Sequence, residues 1–147
     1  MHTKPLSCTT TYRVPYADTD QMGVVYYGNY LTLFERCRNE LMRACPMTYR
    51  EMEAQGLALP VIEAHVEYKR PALYDDLLEL RGTVHSAKGF QIRIDVDVTR
   101  NGELLAKGYT VHCCMNLATK RPARLPQELL AMADCCQSMS TDVADVD

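Results

Sequence analysis

Phe90-Gln91-Ile92-Arg93-Ile94-Asp95-Val96-Asp97-Val98 is the stretch on which the fold turns. Phe90, Ile92, Ile94, Val96 and Val98 alternate with Gln91, Arg93, Asp95 and Asp97, and a period of two describes a strand with one buried and one wet face. Asn101-Gly102 follows, the preferred pair for a two-residue hairpin turn because both residues tolerate positive φ. The run from Leu104 to Leu117 is then its antiparallel partner. Upstream, Ile62, Ala64, Val66 and Tyr68, and then Leu78, Leu80 and Val84, show the same alternation. With Thr9 to Tyr16 at the front, about five strands are expected.

One long helix interrupts them. From Asn29 to about Cys45, apolar residues recur at Tyr30, Phe34, Cys37, Leu41 and Ala44, spaced by three or four. Arg36, Asn39, Glu40 and Arg43 occupy the other side, and Pro46 is expected to stop the helix. A short helix from Thr48 to Gln55, ended by Gly56, and a last amphipathic turn or two over Pro126 to Ala133 complete the reading. Strand, long helix, then four strands in antiparallel sequence is an α+β layout, with the helix laid across one face of the sheet. Residues 137–147 are polar, acidic and aperiodic, so a disordered tail is expected behind a single domain over 1–136. No internal repeat or linker is visible.

A chain of 147 residues, 47% hydrophobic and 24% charged, can build one ordinary core without disulfide or metal. Sixteen basic against 19 acidic residues leave a net charge of -3, which argues against a nucleic-acid partner. No apolar run reaches the length of a membrane span. Met1-His2-Thr3-Lys4-Pro5 lacks the apolar stretch of a secretory signal, so a cytoplasmic location is expected. Seven cysteines, an odd number with no CxxC spacing, suit reduced thiols there.

Chemistry concentrates between the first strand and the long helix, in Tyr16-Ala17-Asp18-Thr19-Asp20-Gln21-Met22-Gly23-Val24-Val25-Tyr26-Tyr27-Gly28-Asn29-Tyr30. Two acids sit on a turn, Gly23 allows a tight bend, and the chain then enters a helix N-terminus, whose free amides favour negative charge. Backbone N–H groups there can hold a carbonyl oxygen that becomes an oxyanion. A carboxylate on the preceding loop can attack the carbonyl or activate water. Those are the two parts that thioester hydrolysis needs.

The segment from Asp18 to Tyr30 resembles the signature of the 4-hydroxybenzoyl-CoA thioesterase family, including its short- and long-chain acyl-CoA thioesterase branches. The resemblance continues through Phe34-Glu35-Arg36, Tyr68-Lys69-Arg70-Pro71-Ala72 and Arg121-Pro122-Ala123-Arg124-Leu125-Pro126, and covers roughly residues 8–130. It implies a hotdog fold, a five-stranded antiparallel sheet wrapped around one long helix. It also implies that Asp20 is the catalytic aspartate and that the oxyanion donor is a backbone N–H on or near Tyr27. Some branches carry a histidine where this chain has Tyr27, so the backbone role is the one expected here. Gly23, Val25, Tyr26 and Tyr30 are expected beside the acyl thioester. Lys69, Arg70, Lys88 and Gly89, the last two in the turn Ser86-Ala87-Lys88-Gly89, are the candidates for the phosphates of CoA. The substrate is an acyl-CoA or an acyl carrier protein thioester, with no cofactor and no metal. Family sites lie between two subunits, which implies a homodimer at least and often a homotetramer.

Each of these residues also has a plainer reading. Asp18 is expected to be mostly a turn residue. Glu35, an alternative base on the long helix, is expected to be buried and paired. His112-Cys113-Cys114 cannot converge on one ion, because successive strand residues point to opposite faces, so packing is expected. His65 and His85 are read as structural. Cys135-Cys136 is at most a surface thiol pair. Two other functions compete. A hotdog hydratase or dehydratase would normally pair a histidine with an acid, and 16–30 holds no histidine. A non-catalytic acyl-CoA binder would have little need of Asp20.

Overall fold

Strands form where branched and large apolar residues alternate with polar ones, and the hairpins close where glycine or asparagine accepts positive φ. The computed structural model describes residues 6–45 and 47–132. β1 (Ser7–Arg13) is followed by α1 (Tyr30–Arg43), α2 (Tyr49–Ala54), β2 (Leu57–Ala58) and β3 (Val61–Tyr68). Then come β4 (Leu77–Lys88), β5 (Gln91–Arg100), β6 (Glu103–Cys113) and β7 (Met115–Asn116). Five strands form one antiparallel sheet in the order β1-β4-β5-β6-β3, and β2 pairs with β7 apart from it. One long helix lies against this sheet, the hotdog arrangement that the resemblance implied.

Asn101 (φ 52°) and Gly102 (φ 81°) make the β5–β6 turn as their residue types require. Gly89 (φ 61°) and Phe90 make the β4–β5 turn, so Phe90 stands half exposed at a hairpin tip instead of opening the strand. Ile92, Ile94, Val96 and Val98 are fully buried as the alternation demanded. β4 runs on past a bulge at His85 as far as Lys88, further than its apolar pattern suggested. β3 does not pair with β4, its successor in sequence. Two-residue turns weld β4, β5 and β6 into a meander with no gap, and β1 takes the free side of β4. The outer sides of β1 and β6 are left, and β3 takes that of β6. On that edge Val61 and Ile62 stay about half exposed, at 48% and 54%, although the alternation Ile62, Ala64, Val66, Tyr68 reads Ile62 as part of a buried face.

Sheet register explains how α1 is seated. Cys8, Gly82, Val96, Gly108 and Val66 form one row across all five strands. Val96 is buried against the helix, and the glycines on either side of it leave room for the helix to come close. A Cβ on Gly82 would lie 2.8 Å from Cys37 Sγ, and one on Gly108 2.9 Å from Phe34 Cε2 and 1.9 Å from the His65 carbonyl oxygen. Phe34 and Cys37, one helical turn apart, therefore occupy the space of two missing side chains. Leu33, Leu41 and Met42 extend the buried face. The helix ends at Arg43, capped by Ala44, so Ala44 falls outside the apolar stripe read for it. Pro46 lies outside the described residues.

α2 starts with a reciprocal capping box between Thr48 and Glu51. Helical turns at 127–132 bury Leu129 and Met132. Ala133, Cys135-Cys136 and the 137–147 tail lie outside the described residues. His112 is buried, with Nδ1 2.9 Å from the Leu59 carbonyl oxygen and Nε2 2.8 Å from Thr110 Oγ1. Burial pushes its imidazole down to about 4, so it packs as a neutral ring whose two nitrogens are both satisfied. His65 is exposed and stacked on Tyr109 at 5.3 Å.

Gly108→Ala should therefore destabilise the protein by about 3 kcal/mol, near the upper range for overpacking, because one of the atoms in the way is backbone. Urea unfolding at neutral pH measures it. An alanine variant with the wild-type midpoint would mean that Phe34 does not depend on this gap.

Candidate active site

Val14 ends the first strand's run, and a 3-10 turn over Tyr16–Asp18 bends the chain into a small hairpin. The Asp20 amide donates to the Val24 carbonyl at 3.0 Å, and the Gly23 amide to the Asp20 carbonyl at 2.9 Å. Gly23 takes φ 80°, which a side chain would strain. Met22 N–H donates to Asp20 Oδ1 at 2.9 Å, the usual way an aspartate braces its own turn. The other carboxylate oxygen of Asp20 has no donor among the described residues. Asp20 thus sits partly buried at the head of a hairpin with one oxygen held and one free.

The returning arm of that hairpin delivers the helix start. Tyr26 N–H donates to the Asp18 carbonyl, and a second 3-10 turn, Tyr27–Asn29, leads into α1. The Asn29 amide donates to the Tyr26 carbonyl, and the Tyr30 amide to the Tyr27 carbonyl. Among the described residues, the N–H groups of Tyr27 and Gly28 have no acceptor, so the first two amides of the helical run are open. Tyr26 stands beside Tyr27 with ring centroids 4.8 Å apart. The Tyr27 hydroxyl first, and the charge of Asp20 least, hold the Tyr26 phenol above its ordinary value.

Two sets of contacts fix this hairpin. On one side Tyr12 of β1 donates its hydroxyl to Asp18 Oδ2 at 2.5 Å, while Arg36 lies 4.7 Å over the Tyr12 ring. Burial first, and then this bond, push the Tyr12 phenol up to about 12. Asn29 Nδ2 donates to the Asp18 carbonyl at 3.0 Å. Asp18 therefore ties strand, loop and helix start together. On the other side Val25 N–H donates to the Ala72 carbonyl at 2.8 Å, and Val24 pairs with Leu73. The turn after Ala72 is held by Asp76, which accepts from Leu73 N–H at 2.8 Å and from Arg100 at 2.6 Å.

Gly23 and Val25 lie in the Asp20 hairpin, and Tyr26, Tyr27 and Tyr30 follow on its returning arm into α1. Tyr30 is buried and Val25 nearly so, while Tyr26 and Tyr27 are open. Lys69 and Arg70 follow β3 at the same end of the sheet, but each is paired, Lys69 with Glu67 at 3.0 Å and Arg70 with Glu103 at 2.9 Å. Lys88 and Gly89 lie at the opposite end, in register with Gln91 and Cys113. One chain therefore does not bring all four to one cleft mouth. Glu35 is exposed, and no ion pair holds it among the described residues, contrary to the buried pair expected. The helix face that carries it, with Leu31, is turned away from the sheet.

Sequence reasoning did not find the role of Tyr68, whose hydroxyl donates to the Tyr27 carbonyl at 3.1 Å. Its alternation with Val66 and Ala64 put it on the helix face of β3, and that was the available signal. The Tyr12–Asp18 bond had no signal, because nothing local links a strand residue to a loop six positions on.

Comparison with known proteins gives the family. Residues 14–132 match the thioesterase-like superfamily. The chain is 37% identical over 120 residues to the acyl-CoA thioesterase YbgC of Haemophilus influenzae, covering 81% of this chain and 88% of that one. Its structure is similar to that of a hypothetical protein, TT1821, of Thermus thermophilus, with a TM-score of 0.79 at 31% identity, over 86% of this chain and 96% of that one. It is also similar to the DHNA-CoA thioesterase of Staphylococcus aureus, with a TM-score of 0.81 at 27% identity, over 96% and 95% of the two chains.

Asp18→Ala should lower stability by about 1–2 kcal/mol, because the Tyr12 hydroxyl loses its acceptor in a partly buried place. Asp18→Asn, which keeps an acceptor, should cost less than half as much. Equal losses in the two variants, read by urea titration, would mean that the charge matters more than the bond.

Proposed function

The chain belongs to the thioesterase-like superfamily and is an acyl-CoA thioesterase, and within that activity we propose that Asp20 is the catalytic carboxylate and the Tyr27 amide the oxyanion donor. The observation that carries this reading is the free oxygen of Asp20, set on the hairpin whose other arm ends in two unfilled amides. Water, or Asp20 itself, adds to the thioester carbonyl. In the first case Asp20 takes the proton of the water. In the second it forms a transient anhydride that water then cleaves. In both cases the tetrahedral oxyanion rests on the amide; CoA leaves as a thiol in the first, with the proton Asp20 took from water, and as a thiolate that solvent protonates in the second. Asp20 needs no histidine for either route.

We further read the working unit as a homo-oligomer. β3 is a free sheet edge with exposed Val61 and Ile62, and such an edge is a template for a second strand. Pairing it antiparallel with its own copy about a two-fold axis would set the Val61 end of one β3 beside the Tyr68 end of the other. The partner's Lys88 end would then lie on the side of this chain's Asp20. A cavity of ≈ 410 Å³ there is lined by Ser86, Lys88, Gly89, Phe90 and Arg93. Lys88 and an exposed ring suit the nucleotide end of CoA, while Arg93 is already paired with Asp95 at 2.8 Å. Lys69 and Arg70 would serve the phosphates from this chain. Gly23, Val25, Tyr26 and Tyr30 would border the acyl thioester. No helix among the described residues is long and apolar enough to cross a membrane. The five described cysteines are unpaired, which supports a cytoplasmic setting.

Thiol release from acetyl-, hexanoyl-, palmitoyl-, benzoyl- and 4-hydroxybenzoyl-CoA tests the chemistry. Asp20→Asn should lower kcat by about 100-fold or more on every ester that the wild type cleaves. A variant that kept most of its turnover at saturating substrate would sink the assignment of Asp20. Light scattering tests the assembly: Ile62→Lys should shift the protein towards monomer and reduce turnover with it. A wild type that is already monomeric and active would remove the two-fold reading.

A further inference from the structure

Tyr68 closes β3, and its hydroxyl donates to the Tyr27 carbonyl at 3.1 Å. Its ring meets Tyr30 edge-on at 5.2 Å and Tyr27 at 6.4 Å. Those ring contacts do not need the hydroxyl, and the ring is half exposed, so core packing does not explain a tyrosine here. The consequence of the bond lies on the far side of the peptide. The Tyr27–Gly28 peptide unit is planar and trans, so the Gly28 N–H points opposite to the Tyr27 carbonyl. That carbonyl is held at two points, by the Tyr68 hydroxyl and by the Tyr30 amide that closes the 3-10 turn. Fixing it fixes the aim of the Gly28 N–H, which has no acceptor among the described residues.

Residue 28 is also the position where a side chain would intrude. A Cβ there would stand 2.8 Å from Tyr26 Cε2, so glycine lets the Tyr26 ring close down while the amide stays uncovered. We propose that Tyr68 is a positioning residue that aims the Gly28 amide into the site, so that the oxyanion is held by two successive N–H groups, those of Tyr27 and Gly28. The proposal rests on the reading of Asp20 and the helix start as the thioesterase centre. Donors act on an oxyanion only when they are aimed beforehand, and loss of one whole donor costs about 100- to 1,000-fold in kcat. Tyr68 aims a donor and does not supply one, so a smaller effect is expected.

Wild type, Tyr68→Phe, Tyr68→Leu and Asp20→Asn are compared on the acyl-CoA of the panel that wild type cleaves fastest, with thermal unfolding of each. Tyr68→Phe should lose about tenfold in kcat, with KM within about twofold of wild type and an unchanged unfolding midpoint. Tyr68→Leu should lose at least as much. If Tyr68→Phe turns over like wild type while Asp20→Asn is dead, this proposal falls and the reading of the site stands. Loss in Tyr68→Leu alone would assign the effect to the ring and would also overturn it, as would a raised KM at unchanged kcat. If Asp20→Asn stays active, the reading of the site falls with the proposal.

Discussion

The close seating of α1 on the sheet is the constraint from which the rest follows. Val96 projects towards the helix from the middle strand, and Gly82 and Gly108 flank it in the same row, so Phe34 and Cys37 enter where side chains are missing. This approach buries the apolar side of α1 against Leu80, Ile92, Ile94 and Val98. At about 25 cal/mol per Å² of apolar surface removed from water, such a contact is the main favourable contribution to the fold. It also sets the position of the helix N-terminus, because a helix held at its middle cannot shift along its axis without moving these residues. The two open amides at its start are placed by a contact two turns away.

The loop ahead of the helix is built on the same economy. Almost every polar group in it has a partner: Asp18 takes Tyr12 with its side chain and Tyr26 and Asn29 with its carbonyl, and one oxygen of Asp20 braces the turn. Among the groups it leaves open are one carboxylate oxygen of Asp20 and the neighbouring N–H groups of Tyr27 and Gly28. An acyl thioester has an electrophilic carbon for the first and a carbonyl oxygen for the second. Groups kept free on a braced frame need little rearrangement when charge develops.

The edge strand β3 runs from the helix start to an exposed sheet edge. Its inner end carries Tyr68, which touches the helix start, and its outer face and edge leave Val61 and Ile62 in water. Cations suited to a phosphorylated carrier are divided between the two ends of the sheet. A single copy has Asp20 and the helix start at one end and the Lys88 cavity at the other.

Local chemistry determined much of this from the sequence alone. The alternation in β5, the Asn101-Gly102 turn and the three-and-four spacing of α1 are short-range signals, and each appears as read apart from a residue or two at the ends of β5 and α1. The Asp20 turn and the helix start were legible because they are contiguous in the chain. The tertiary structure alone decided the rest. The placement of β3 beside β6 follows from two tight hairpins that close the middle of the sheet to it. The exposure of Glu35 depends on which helix face meets the glycine row. The bonds from Tyr12 and Tyr68 join residues six and 41 positions apart. No periodicity announces such bonds, because they exist only once packing has brought two separately formed elements within reach.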